Sequence, residues 1–96
     1  MAGRAVQVEP NWVSPPGDTL LDILEERGWL QIEFAERLGY TAKHVSLLIR
    51  GKASITGDTA LRLERVLGGT ASFWLSREAK YRDALARQDE QATFRR

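Results

Sequence analysis

The stretch from Thr41 to Lys52 suits contact with nucleic acid, because it holds three basic residues and no acidic one. Lys43 can reach a guanine acceptor or a phosphate, and Ser46 can donate to or accept from a base edge. Arg50 and Lys52 lie at the end of the stretch and suit phosphates better than bases. They would also be favourable charges at a helix C-terminus. The pattern predicts a surface that contacts duplex DNA.

Four neighbouring residues have a functional and an ordinary interpretation. Ala42 is short, so a helix that begins there could enter a groove deeply. Leu47 could touch a thymine methyl group, or it could be a simple surface leucine or one covered by another element. His44 could contact a phosphate or a base edge, although a modest role is the simpler interpretation. Gln31 could bind a phosphate together with free backbone N–H groups, or be an ordinary first-turn glutamine.

These side chains require two short helices joined by a tight corner. Apolar residues recur at helical spacing on either side of Gly39, namely Phe34, Leu38, Val45 and Leu48. Gly39 can take the left-handed conformation that ends a helix, and Thr41 is a good N-cap for the next one. The spacing predicts a helix-turn-helix over Gln31 to Leu38 and Ala42 to Arg50, whose second helix would fit the major groove.

Three further helices are expected around this pair. The first follows Pro15-Pro16 and ends at Gly28. The fourth opens at Thr56, and the fifth opens after Thr70 and continues to about Arg87. The sequence therefore predicts an all-α fold of five helices, the last of them long.

The chain divides into three parts. Residues 1–13 have no helical period and form an N-terminal arm that could be extended, with Trp12 packed on the body. Residues 14–87 form the helix-turn-helix domain, and residues 88–96 form a polar C-terminal tail that is expected to fray. A total of 96 residues fits one small domain.

Charge is distributed unevenly along the chain. The net charge is only +1, but residues 1–40 hold three basic and seven acidic side chains, whereas residues 41–96 hold eleven basic and six acidic ones. This arrangement suits a protein that places one face on phosphates and another on a protein partner. The alternative is a solvated surface with chance asymmetry.

Other classes of function find little support in the composition. There is no cysteine and one histidine, so neither a thiolate nucleophile nor a multi-histidine metal site is expected. No glycine-rich phosphate loop and no catalytic constellation of side chains is present. We expect no enzymatic activity, no cofactor and no metal. We also expect no membrane span and a cytoplasmic location.

The fifth helix carries an apolar stripe that a small domain would have difficulty covering. Trp74, Tyr81 and Leu85 fall on this stripe, so it predicts a dimer contact or a contact with a partner protein. The remaining aromatic residues are expected to lie mostly in the core, and stacking on unpaired bases is the alternative. They are Trp29, Phe34, Tyr40 and Phe73.

Several sequence blocks together resemble one branch of a known family. They are Pro15-Pro16-Gly17-Asp18-Thr-Leu, Gly28-Trp29-Leu30-Gln31, Ile49-Arg50-Gly51-Lys52, Ile55-Thr56-Gly-Asp58-Thr-Ala60-Leu61, Phe73-Trp74-Leu75 and Tyr81. With the helix-turn-helix they resemble the HigA branch of the Xre, or lambda-repressor-like, family over about Ser14 to Tyr81. That branch comprises antitoxins of type II toxin–antitoxin modules.

The resemblance implies a fold, partners and a site. It implies a five-helix, lambda-repressor-like domain, a homodimer on a palindromic operator, autorepression of a toxin–antitoxin operon and a RelE-like toxin as the protein partner. By match to the family motif, nine positions would face DNA. They are Gln31, Thr41, Ala42, Lys43, His44, Ser46, Leu47, Arg50 and Lys52.

Two departures from the family pattern are visible. Leu30 stands where the family usually has a Ser or Thr cap, so the second helix should start more loosely, at a loss of about 1 kcal/mol. Leu47 replaces a more usual polar residue, which puts the base contact at that position in doubt.

Two alternatives remain open at the level of function. Similar domains form the N-terminal part of longer regulators that carry a zinc-peptidase domain, so the chain is either a stand-alone antitoxin or a piece of such a regulator. It could also be a protein-interaction module in which the helix-turn-helix is only a scaffold. The acid-free face between Thr41 and Lys52 argues against that alternative, because such a scaffold would not need it.

Overall fold

The computed structural model describes residues 14–94, and side chains are described up to residue 90. This part of the chain contains five helices and no strand. Their bounds are α1 Pro16–Arg27, α2 Gln31–Leu38, α3 Ala42–Ile49, α4 Gly57–Leu67 and α5 Ala71–Phe94. The all-α, five-helix prediction is therefore confirmed. The predicted N-terminal arm, including the packing of Trp12, lies outside the described residues.

Short local signals set the helix ends, as the sequence predicts. Gly28 ends α1 with φ +71° and Gly39 ends α2 with φ +80°, a region that favours glycine. The Thr41 and Thr56 hydroxyls cap α3 and α4 by accepting from backbone N–H groups three residues later. Thr70 accepts from the N–H of Phe73 in the same way, at 3.2 Å.

One apolar core joins all five helices. Phe34 of α2, Val45 of α3 and Leu63 of α4 are completely buried, and Leu20 of α1 is nearly so. α2 packs on α3 and α4, while α5 packs on α4 and α1. Burial of such side chains stabilises a domain of this size by roughly 2 kcal/mol each. The core therefore sits behind α3 and leaves the opposite side of that helix uncovered.

The last helix differs from the prediction in two ways. It continues to Phe94 instead of ending near Arg87, so much of the predicted tail is helical. Its apolar stripe is also covered within one chain, because Trp74 lies in the core and Tyr81 is only 8% exposed. The prediction of an open contact surface at Trp74 and Tyr81 is therefore wrong, because the stripe is the face by which α5 packs on the domain. Leu85, the third residue of the stripe, is half-buried.

Phe73 is a second correction, because 49% of its surface is exposed although it was expected in the core. Its ring lies edge-on to that of Trp74, with the centroids 4.9 Å apart. The two aromatic residues are adjacent on a helix and so point to different sides, which explains why only one of them is buried.

None of the helices in residues 14–94 has the length and apolar character that a membrane-spanning helix requires.

Candidate nucleic-acid interface

Helix α3 has one buried face and one open face. Val45, Leu48 and Ile49 are buried, as their spacing predicts. Lys43 and Arg50, on the other side, are exposed. The surface predicted to contact bases is thus not packed beneath another part of the described chain.

The nine predicted contact residues lie on α3, at its two ends and at the start of α2. Six of them are exposed: Gln31, Thr41, Ala42, Lys43, Arg50 and Lys52. Three are half-buried: His44, Ser46 and Leu47. We call the exposed and half-buried surface formed by residues 41–44, 46, 47, 50 and 52 the α3 face.

The charges on the α3 face are available to an outside anion. Among residues 14–90, neither Lys43 nor Lys52 forms an ion pair. Within the described part of the chain, the Arg50 guanidinium makes one long hydrogen bond, from Nε to the backbone oxygen of Ser46, at 3.4 Å. Because these cations are not paired with a carboxylate of the described chain, they can neutralise phosphates.

Besides Arg50, two of the nine side chains have partners that limit their freedom. The Thr41 hydroxyl accepts from the N–H of His44 at 3.0 Å, so its structural role as a cap is shown. The His44 imidazole lies edge-on to the Tyr40 ring at 4.6 Å between centroids, which accounts for its partial burial. Leu47 keeps part of its side chain open to solvent, so neither of its two interpretations is excluded.

A polar network holds the N-terminal end of α3. The Tyr40 hydroxyl donates to the Asp58 carboxylate at 2.7 Å and lies 3.0 Å from the Thr59 hydroxyl. Arg62 donates from Nε to Asp58 at 2.9 Å and from Nη1 to the backbone oxygen of Leu38 at 2.8 Å. We call Tyr40, Asp58, Thr59 and Arg62 the turn network, since it ties the α2–α3 turn to α4.

Two groups of the turn network have shifted pKa values. The hydrogen bond from Tyr40 lowers the pKa of Asp58, and the positive charge and hydrogen bond of Arg62 lower it further. Burial raises the pKa of the Tyr40 hydroxyl. Sequence reasoning did not assign these residues to the site. The i, i+4 spacing of Asp58 and Arg62 was the only local signal for part of it.

Close backbone packing holds the other end of α3. A Cβ atom on Gly17 of α1 would lie 1.9 Å from the backbone oxygen of Ile49, so only glycine fits there. Gly51 has φ +75° and is packed between Pro15 and Tyr81. The last turn of α3 is therefore held against both α1 and α5.

The start of α2 has no side-chain cap, in agreement with the sequence. Leu30 occupies the N-cap position and makes no side-chain hydrogen bond, while the Glu33 carboxylate accepts from the N–H of Leu30 at 3.3 Å. The helix thus has half of a capping box. Gln31 is exposed beside these first-turn N–H groups, which suits the phosphate interpretation of Gln31.

Comparison with known proteins places these features in a wider group. The Helix-turn-helix family model, HTH_3, matches residues 20–74, which include α2, α3 and α4. Virulence-associated protein I of Dichelobacter nodosus is 35% identical to this chain over 78 residues, which make up 80% of this chain and 72% of that protein.

Solved structures share this fold over most of the chain. A Nostoc punctiforme protein, described as an antidote protein of a plasmid maintenance system, has a TM-score of 0.81 at 33% identity, with 86% of this chain and 93% of that chain covered. The Pseudomonas aeruginosa antitoxin HigA, solved with the higBA promoter, has a TM-score of 0.76 at 27% identity, with 83% and 88% covered.

Proposed function

Since the chain belongs to the helix-turn-helix family of Xre-like, lambda-repressor-like domains, we propose that it is a sequence-specific DNA-binding repressor and the antitoxin of a type II toxin–antitoxin module. The observation that carries the proposal is the α3 face, which is open, free of acidic residues and positively charged. Antidote and HigA proteins of the same fold, one of them solved with promoter DNA, support it.

Each group of contact residues has its own part in the proposal. Lys43 and Ser46, with Ala42, His44 and Leu47 beside them, read base edges in the major groove. Arg50 and Lys52 bind phosphates at one end of α3. Gln31 and the uncapped N–H groups of the first turn of α2 bind a further phosphate. Because phosphate contacts release counterions, affinity falls steeply as the salt concentration rises.

The finer parts of the proposal concern assembly and partners. The protein forms a homodimer whose two α3 helices read half-sites about 34 Å apart on a palindromic operator. It represses its own operon and neutralises a RelE-like toxin in the cytoplasm, without enzymatic activity of its own. Residues 14–87 form the DNA-binding domain, and residues 88–96, although helical in large part, form a polar extension.

Replacing Lys43 with alanine tests the α3 face directly. Lys43→Ala should weaken binding to a duplex that carries the chain's own promoter by roughly 1–3 kcal/mol, because it removes a groove contact. The measurement is a salt-matched gel shift at two salt concentrations. Lys80→Ala is the matched control, since Lys80 is also exposed but lies on α5. Equal affinity of Lys43→Ala and the parent would show that the groove assignment is wrong, and a parent that does not bind the duplex at either salt concentration would favour the protein-interaction alternative.

A further inference from the structure

The loop that follows α3 is held in place by a side chain of the last helix. Arg82 of α5 donates from Nη2 to the backbone oxygen of Gly51, at 3.3 Å. Gly51 stands between Arg50 and Lys52, and both of those side chains are exposed. A residue 31 positions away in the sequence thus contacts the backbone between the two cations at the end of the α3 face.

The peptide group that joins Gly51 to Lys52 is fixed from both sides. On one side its N–H, which belongs to Lys52, donates to the backbone oxygen of Leu47 at 2.8 Å. On the other side its carbonyl oxygen accepts from Arg82. With both polar groups of one peptide bonded, the orientation of this peptide plane is set, and with it the position of the Lys52 Cα atom from which the side chain extends.

Arg82 itself is held rigidly enough to act as a support. Its Nε donates to the Glu78 carboxylate at 2.5 Å, and Glu78 is only 8% exposed. A buried carboxylate needs a cation, because an unpaired one would be strongly unfavourable. The guanidinium also lies over the Tyr81 ring, 4.9 Å from its centroid. Glu78 and Tyr81 therefore fix the head group that reaches Gly51.

We propose that Arg82, held by Glu78, is a positioning residue for DNA binding: through the Gly51 carbonyl it orders the loop that presents Arg50 and Lys52 to phosphates. This inference rests on the proposed function. It adds a role for α5, which has no residue among the nine predicted contacts. It also means that α5 affects DNA affinity although none of its own residues is expected to contact DNA.

The same helix contains a matched control pair. Arg87 donates from Nε to Asp83 at 2.9 Å, with the same i, i+4 spacing as Arg82 and Glu78. Both members of this pair are largely exposed, and the bond to Asp83 is the one hydrogen bond of the Arg87 side chain among the described residues. Arg82→Lys and Arg87→Lys both keep the charge of α5 and a cation for the carboxylate four residues earlier, but only Arg82 also contacts the loop.

The first measurement is affinity for a duplex that carries the chain's own promoter. Arg82→Lys keeps a cation for Glu78, but a single ammonium group cannot also reach Gly51 in the fork geometry of arginine. We expect roughly a threefold to tenfold loss of affinity, the effect of one hydrogen bond. Arg87→Lys should bind as the parent does. Both variants are measured well below their melting temperatures, so that a loss of folded protein does not contribute.

A double-mutant cycle separates positioning from general destabilisation. In a Lys52→Ala background the effect of Arg82→Lys should shrink clearly, because one of the two side chains that the loop presents is gone. In a Lys43→Ala background the effect should keep its full size. An equal effect in both backgrounds would overturn the proposal even if Arg82→Lys weakens binding.

Amide hydrogen exchange gives a readout that needs no DNA. The N–H of Lys52 should exchange several-fold faster in Arg82→Lys than in Arg87→Lys, because the loop is less ordered. Unchanged exchange together with unchanged affinity overturns the role of Arg82 while Lys43→Ala still reports on DNA binding. If the parent chain fails to bind the duplex at all, the proposed function fails, and the phosphate-presenting role of Arg82 fails with it.

Discussion

The two ends of α3 are held by different kinds of interaction. At its start, the turn network joins Tyr40 to Asp58 and Arg62 through hydrogen bonds between side chains. At its end, Gly17 lets the backbone of α1 approach the backbone of Ile49, and Gly51 lies against the Tyr81 ring. One side chain, Arg82, also donates to the backbone oxygen of Gly51. The first end should therefore respond to pH and to the loss of polar groups. The second should respond mainly to added volume.

The largest effect is expected from adding one methyl group at the end of α3. Gly17→Ala places a Cβ 1.9 Å from the oxygen and 2.4 Å from the carbonyl carbon of Ile49, which are backbone atoms that cannot rotate away. We expect the free energy of unfolding to fall by roughly 1–3 kcal/mol, measured by urea denaturation. Gly57→Ala is the control, because nothing lies within 4 Å of its added Cβ. A Gly17→Ala protein as stable as Gly57→Ala would contradict the close packing of α1 on α3.

A smaller effect is expected at the start of α3, where it should depend on pH. Tyr40→Phe removes the hydroxyl that donates to Asp58 and contacts Thr59, and we expect it to lower the free energy of unfolding by about 1 kcal/mol at neutral pH. The pKa of Asp58 is lower in the folded chain than its ordinary value of 3.8. Its stabilising contribution is thus complete above that value and is lost as the pH falls through the lower, folded-state pKa.

The pH dependence can be measured as melting temperature between neutral and acidic pH. The parent should lose stability on acidification, and Tyr40→Phe and Asp58→Asn should each lose less of it, because the interaction is already absent. Tyr81→Phe serves as the control, since Tyr81 packs at the other end of α3. If Tyr40→Phe and Tyr81→Phe gave the same acid profile, the turn network would not be the source of the dependence.

The smallest effect is a gain of stability at the start of α2, which lacks the cap that α3 has. Leu30 is 69% exposed and makes no side-chain hydrogen bond, so little packing is lost when it is replaced. Leu30→Ser should stabilise the fold by about 0.5–1 kcal/mol by accepting from a first-turn N–H. Thermal unfolding measures this gain. Leu61→Ser, which changes another exposed leucine inside α4, should show no gain; equal results for the two would rule out a capping effect.

Local signals in the sequence predicted much of the fold. Gly28 and Gly39 end α1 and α2 in the left-handed conformation, and Thr41 and Thr56 cap the starts of α3 and α4. These features depend on one residue and its near neighbours, so they can be recognised without a structure. The buried face of α3 was predicted for the same reason, because helical spacing alone separates Val45 and Leu48 from Lys43.

Contacts between distant parts of the chain were not predicted. The apolar stripe of α5 was recognised, but Trp74 and Tyr81 are covered within the same chain and not by a partner. Likewise, no local pattern shows that Arg62 reaches the α2–α3 turn or that Arg82 reaches Gly51. Periodicity tells which side of a helix is apolar, but it does not tell which element packs on that side.

The sequence by itself determined where the helices begin, how α1 to α4 end, and which side of α3 carries cations without acids. Both follow from short-range chemistry: capping, glycine conformation and the spacing of apolar residues. Only the tertiary structure decided that the apolar stripe of α5 packs on the rest of the domain. It also decided that both ends of α3 are held by α1, α4 and α5. Those outcomes depend on how helices far apart in the chain meet, and this is set by the fit of their surfaces in the folded protein.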